Sequence, residues 1–208
     1  MKRKPESISV FGKSFMASVS AALKTLSFTE IEKAREMLLE AYLAGRRIYV
    51  FGNGGSLSLA AHWTCDFNKT VFNPHLHKSV QRFRTIHIPS TEEELTAWAN
   101  DVGYDMVFAG PLANHIESGD VVIAISSSGN SPNVIKAVQL AQKLGNKVIG
   151  ISGFDGGKLH ILADAKILVR TKKGEYEVVE SAHDAVLHLF TKYFKEYFRY
   201  NVKVAPKH

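Results

Sequence analysis

Apolar positions along the chain change their period near residue 45. Before it they recur at helical spacing, with Phe15, Val19, Ala22 and Leu23 followed by Ile31, Ala34, Met37, Leu38 and Tyr42, the one-sided stripe of amphipathic helices. Two helices should meet near Ser27–Thr29, where Ser27 or Thr29 can serve as an N-cap. After residue 45 short, β-branched runs take over: "RIYVFG", "FRTIHIP", "VVIAIS", "KVIGIS" and "AKILVR". Near-continuous apolar character marks strands buried on both faces of a parallel sheet. Helical stretches lie between them at Ser56–Phe72, Asp105–Glu117 and Pro132–Leu144. A last one, Tyr176 to Tyr200, carries Val179, Val186, Phe190, Phe194 and Tyr197 at helical spacing. This alternation predicts a doubly wound α/β layer. With no repeat and no linker, the chain reads as one domain over 1–208: N-terminal helices to residue 44, an α/β core over 45–172 and a C-terminal helix over 175–200.

The composition, 45% hydrophobic and 22% charged over 208 residues, is that of a globular protein with a sizeable core. No apolar run approaches the roughly 20 residues that span a bilayer, and the basic start "MKRKPESISVFGKSF" lacks the apolar stretch of a signal peptide. We therefore expect no membrane partner. The lone Cys65 excludes an internal disulfide framework and fits the cytoplasm. The formal charge of +6 raises nucleic acid as a partner. Its excess, however, sits in "KRK" at 2–4 and in the last segment, without a dense cluster or nucleic-acid motif between. Phosphorylated small molecules account better for the balance.

Two strand ends carry turns suited to phosphate. "GNGGS", Gly52–Ser56, follows the first predicted strand, and its Gly54 and Gly55 let backbone approach an anion ahead of a helix N-terminus. "SSSGNS", Ser126–Ser131, follows "VVIAI" and supplies four hydroxyls before Pro132 opens the next helix. Neither is a dinucleotide fingerprint or a Walker loop. One such turn alone would be an ordinary tight connection; two at strand ends point to a phosphate.

Ionisable side chains accompany them. His62 and Asp66 are spaced i, i+4 on one face of the helix launched by the first turn. In "EVVESAHDAVLHLF", Glu180, Asp184 and His188 form a second stripe, with His183 to one side. For either helix alone, solvated charges with one or two hydrogen-bonded core histidines is the plainer account. Together, imidazoles and carboxylates suit a divalent cation such as zinc. Cys65 lies about 100° around the helix from Asp66 and is expected in a buried packing role. His75 and His77 form an HxH in what reads as a polar loop, where metal is not expected.

These segments, "GNGGS…AAHWTCDF", "AWANDVGYDMVF", "SGDVVIAISSSGNSPNVIKAVQLAQKLGNKVIGISGFDGGKL" and "VVESAHDAVLHLF", resemble in order the sugar-isomerase (SIS) domain, and most of all its phosphoheptose isomerase branch. The resemblance implies a three-layer, flavodoxin-like fold with a five-stranded parallel sheet. It also implies a homotetramer with active sites between subunits, and conversion of sedoheptulose 7-phosphate to glycero-manno-heptose 7-phosphate. It implies that Ser56, Ser126, Ser127, Ser128 and Ser131 hold the phosphate while Asn53, Asn100 and Asp101 line the sugar site. The zinc ligands of those isomerases, His, Glu, Gln and His, fall on His62, Asp66, Glu180 and His188. The acid–base pair falls on Asp66 and His188.

Two positions depart from that pattern. Asp66 is one methylene shorter than the family Glu, and shifts of about 1 Å can cost around 100-fold in rate. Glu180 brings a negative charge where a neutral Gln is expected, which should tighten a divalent metal. Another SIS reading is a non-catalytic tetramer, either the partner of the replication initiator DnaA or a sugar-phosphate sensor. No predicted ligand has become apolar, so a retuned enzyme is the reading taken.

Overall fold

In the computed structural model, which describes residues 7–72 and 81–200, the chain alternates strand and helix after a helical hairpin. The hairpin is α1 (Ile8–Leu23) and α2 (Phe28–Leu43), followed by β1 (Arg47–Gly52) and α3 (Gly55–Cys65). Then come β2 (Arg84–His87), α4 (Glu92–Asp101), α5 (Ala109–His115), β3 (Val121–Ser126) and α6 (Pro132–Lys143). β4 (Lys147–Gly153), α7 (Gly157–Leu162), β5 (Ala165–Val169) and α8 (Tyr176–Tyr200) complete it. All five strands are parallel in the order β2-β1-β3-β4-β5. No helix among the described residues is long and apolar enough to cross a membrane. His75 and His77 lie outside the described residues.

Side chains of a strand alternate between faces, and the two faces bury different helices. Ile48, Val50, Ile123, Ile125, Ile149, Ile151 and Ile167 join Leu38, Trp63, Phe67, Phe190, Phe194 and Phe198, so α2, α3 and α8 cover one side. Tyr49, Phe51, Val122, Ala124 and Val148 join Leu112, Val134, Val138, Ala141 and Leu159, so α5, α6 and α7 cover the other. This is why the strands read as unbroken apolar runs. The sheet reverses direction of growth between β1 and β3, and both phosphate-type turns sit at the carboxyl ends of those two strands, where open α/β sheets bind ligands.

Local chemistry sets the boundaries. Ser27, not Thr29, caps α2, its hydroxyl accepting from the Glu30 N–H at 3.4 Å. β2 is shorter than the apolar run that predicted it, and Pro89, which has no N–H to give a ladder, follows soon after its end. The expected helix over 105–117 divides into a 3₁₀ turn (Tyr104–Met106) and α5. α4 and α7 lie outside the helices expected from the pattern: α4 buries none of its own residues fully and α7 has six residues, so neither shows a strong stripe. The expected helix over 56–72 changes type at Asp66. From Asp66 to Thr70 it is π-helical, with the Val71 N–H donating five residues back to the Asp66 carbonyl at 3.0 Å.

Candidate active site

The phosphate-type turns are shaped by their glycines. Gly54, at φ 54°, turns β1 into α3, a backbone conformation disfavoured for residues with a Cβ. Gly129, at φ 63°, sits where a Cβ would run into the Gly156 carbonyl, so the serine turn nests against the start of α7. Within it Ser126 Oγ accepts from the Gly129 N–H at 3.1 Å and lies 3.2 Å from Ser131 Oγ. Ser131 occupies the N-cap of α6 without capping it through its hydroxyl. That hydroxyl instead joins Asn53, Ser56, Ser126, Ser127, Ser128, Tyr176 and Glu180 around a cleft of about 160 Å³.

A second cleft of about 200 Å³, lined by Gly55, Ser56, Ser58, Leu59, His62, Glu180, His183 and Asp184, shares Ser56 and Glu180 with the first. The serine turn and the His62 end thus border two adjoining clefts. Glu180 stands where they join, with its Oε2 2.6 Å from where a Cβ on Gly55 would be.

The ionisable end is positioned by the core beneath it. On α3 and its π-helical continuation, Trp63 and Phe67 point inward and pack edge to face, 5.8 Å between centroids; His62 and Asp66, one residue earlier each, follow the same spacing. On α8, Phe190 meets Trp63 at 5.8 Å and Phe194 meets Phe67 at 5.7 Å. These contacts fix the register of α8 over α3 and carry His188 to His62, ring centroids 5.1 Å apart. Asp184 stands between them, its Oδ1 3.7 Å from His62 Nδ1 and its Oδ2 3.5 Å from His188 Nδ1. Asp66 approaches the other side of His62, 3.9 Å from Nε2. Its carboxylate is retracted, with a side-chain exposure of 12% against 49% for Asp184.

Of the expected ligands, His62 and His188 come together, Asp66 reaches only the far nitrogen of His62, and Glu180 lies one turn earlier against the glycine turn. Asp184, on the stripe noticed in the sequence but outside the ligand set the resemblance implied, takes the central place. His183 is the core histidine: it is fully buried, and burial pushes its pKa down to about 4. Asn53 exchanges amide hydrogen bonds with the buried Asn133 at 2.9 and 2.8 Å, and accepts one from the Tyr104 hydroxyl at 3.0 Å. Asn133, Tyr104, Tyr176 and Ser58 were not singled out in the sequence; Asn133, one residue after Pro132 at the serine turn, carried the best signal. Asn100 and Asp101 bond each other at 2.7 Å at the exposed end of α4 and line neither cleft. Cys65 is exposed, contrary to its expected packing role, because Trp63 and Phe67 take the inward face of the helix.

Comparison with known proteins agrees with this architecture. Phosphoheptose isomerases of Citrifermentans bemidjiense and Aliarcobacter butzleri are 33% and 36% identical to the chain, covering 82% and 76% of it and 85% and 82% of their own lengths. The solved structure of phosphoheptose isomerase GmhA from Neisseria gonorrhoeae superposes with a TM-score of 0.78 at 25% identity, over 91% of this chain and 97% of that one. A family model for the SIS domain matches residues 11–153, from within α1 to the end of β4 and through both serine- and glycine-rich turns. The chain belongs to the SIS domain family.

Proposed function

We propose that the protein is an aldose–ketose isomerase of the phosphoheptose isomerase kind, interconverting sedoheptulose 7-phosphate and glycero-manno-heptose 7-phosphate. The observation that carries this reading is the pair of adjoining clefts, sharing Ser56 and Glu180, that run from the serine turn to His62 and Asp184. A sugar phosphate needs those two chemistries at its two ends. The relatives named as phosphoheptose isomerases along most of the chain supply the reaction.

Ser56, Ser126, Ser127, Ser128 and Ser131, with the N–H groups of their turns, hold the phosphate through hydrogen bonds and the helix N-termini. Asn53, held by Asn133, bonds sugar hydroxyls, with Gly54 and Gly55 allowing close approach. The resemblance assigns Asn100 and Asp101 to the same sugar site. Asp66 takes the proton from C1 of the ketose and returns it to C2, while His188 moves the hydroxyl proton from O1 to O2, passing through an enediol. The fit of a metal rests on the donors present: the imidazoles of His62 and His188 and the carboxylate of Asp184 offer donor atoms within 4.8 Å of one another, a set zinc accepts. His62, Asp66, Glu180 and His188 are the residues the resemblance nominates to hold it. When bound, such an ion polarises the carbonyl oxygen.

We also read the protein as a homotetramer acting in the cytoplasm. Ile8, Phe11 and Met16 of α1 are exposed, Ile8 at 83%, and a second copy would cover them. The isomerase reading is tested by incubating the protein with sedoheptulose 7-phosphate in deuterated water. Deuterium incorporation at C2 of the aldose supports it. Phosphosugar binding without incorporation would sink it in favour of a sensing role.

A further inference from the structure

The carboxylate stripe of α8 offers two acids to the site, and they point to different ends of it. Glu180 faces the glycine turn and the serine cleft. Asp184 faces His62 and His188. From this juxtaposition, and resting on the reading of the site as metal-dependent, we infer that Asp184 is the carboxylate ligand that α8 gives to the divalent cation, with His62 and His188 as its imidazole partners. Glu180 belongs to the substrate end.

Distances support the assignment. Donor atoms about 2.0–2.2 Å from a tetrahedral zinc are separated from one another by roughly 3.3–3.6 Å. Asp184 lies 3.7 and 3.5 Å from the two ring nitrogens, through a different oxygen to each, and with one donor atom from each side chain the three lie within 4.8 Å of one another. Those separations exceed ordinary N–H···O hydrogen bonds, which run to about 3.2 Å. All three groups are partly exposed, so an ion can reach them.

Asp184 also accounts for the short Asp66. With its carboxylate drawn back against Nε2 of His62, Asp66 is on the far side of the ring from Asp184. At 3.9 Å it makes no hydrogen bond to the ring and stays available for proton transfer. A ligand contributed by Asp184 compensates for the reach that Asp66 lacks.

The test is Co²⁺ binding by the metal-free full-length protein, read by competition with a chromophoric chelator and by the visible absorption of the bound ion. Partners that merely orient a ligand already carry about 10–100-fold in affinity, so Asp184→Asn should weaken Co²⁺ by at least about tenfold and change the spectrum. Asp184→Glu should recover most of the loss, while Glu180→Gln should stay within about threefold of wild type. Asp184 is half exposed, so these changes spare the core. Wild-type affinity in Asp184→Asn, a larger loss in Glu180→Gln, or no Co²⁺ uptake by the wild type would each overturn the assignment. Deuterium incorporation separates this from the isomerase reading. Incorporation without metal uptake overturns only the Asp184 assignment, and uptake through Asp184 without incorporation overturns only the isomerase.

Discussion

His62 on α3 and His188 on α8 meet edge to face, 5.1 Å between ring centroids and 76° between planes, because Trp63 and Phe190 pack directly beneath them. The core contact and the site contact are displaced along the helices by only one or two residues. Any change that slides α8 over α3 therefore disturbs the site as much as the core. The consequences of that arrangement can be measured.

At the anion end, the double variant Ser126→Ala with Ser131→Ala should weaken sugar-phosphate binding by roughly 3–6 kcal/mol, taking about 1.5–3 kcal/mol for each hydroxyl bonded to a charged acceptor. The turn itself should survive, because the Gly129 N–H also reaches the Ser126 carbonyl at 3.0 Å. Calorimetry showing unchanged affinity would remove the phosphate from this turn.

Asp66→Asn keeps the shape of the buried side chain and removes its basicity. Deuterium incorporation should drop by at least about 100-fold, the lower range for losing a positioned base, while sugar-phosphate affinity changes little. Normal turnover in this variant would exclude Asp66 as the base.

Glu180 shares a cleft with four serines of the second turn, so its charge opposes a bound anion. Glu180→Gln should tighten binding of inorganic phosphate several-fold at low ionic strength, and salt should erase the difference. Weaker phosphate binding would show instead that the carboxylate supports the turn.

His183 gives a pH signature of stability. Its native pKa, held at about 4 by burial, lies below the value near 6.5 of an unfolded chain. The unfolded state binds the extra proton between these values. The contribution is therefore complete above about pH 6.5 and is lost as pH falls towards 4, roughly 3 kcal/mol in all. Urea unfolding of wild type and His183→Leu between pH 7 and 4.5 should show a shallower pH slope in the variant. Equal slopes would assign acid sensitivity to other groups.

The exposed apolar residues of α1 should be covered by copies of the chain. Light scattering at micromolar concentration should give a tetramer, and Phe11→Glu with Met16→Glu should reduce it to smaller species. A wild-type monomer would exclude the assembly.

Strand identity, the doubly wound fold and both phosphate-type turns are legible in the sequence because each depends on residues close together along the chain. A strand buried on both faces must be apolar at every position, and a tight turn approaching an anion needs glycine and hydroxyls side by side. The pairings His62 with Asp66 and Asp184 with His188 are legible for the same reason, since helix pitch alone puts them on common faces. Which acid of α8 meets His62 is a different matter. Glu180 and Asp184 lie one turn apart on one stripe, and no local preference distinguishes them. The choice is made by the register of α8, which Phe190, Phe194 and Phe198 set against Trp63, Phe67 and Phe72. The same long-range packing buries His183, exposes Cys65 and draws Asp66 back at the start of the π-helical turn. Such outcomes depend on shapes that meet only after the sheet is built, so the tertiary structure alone decided them.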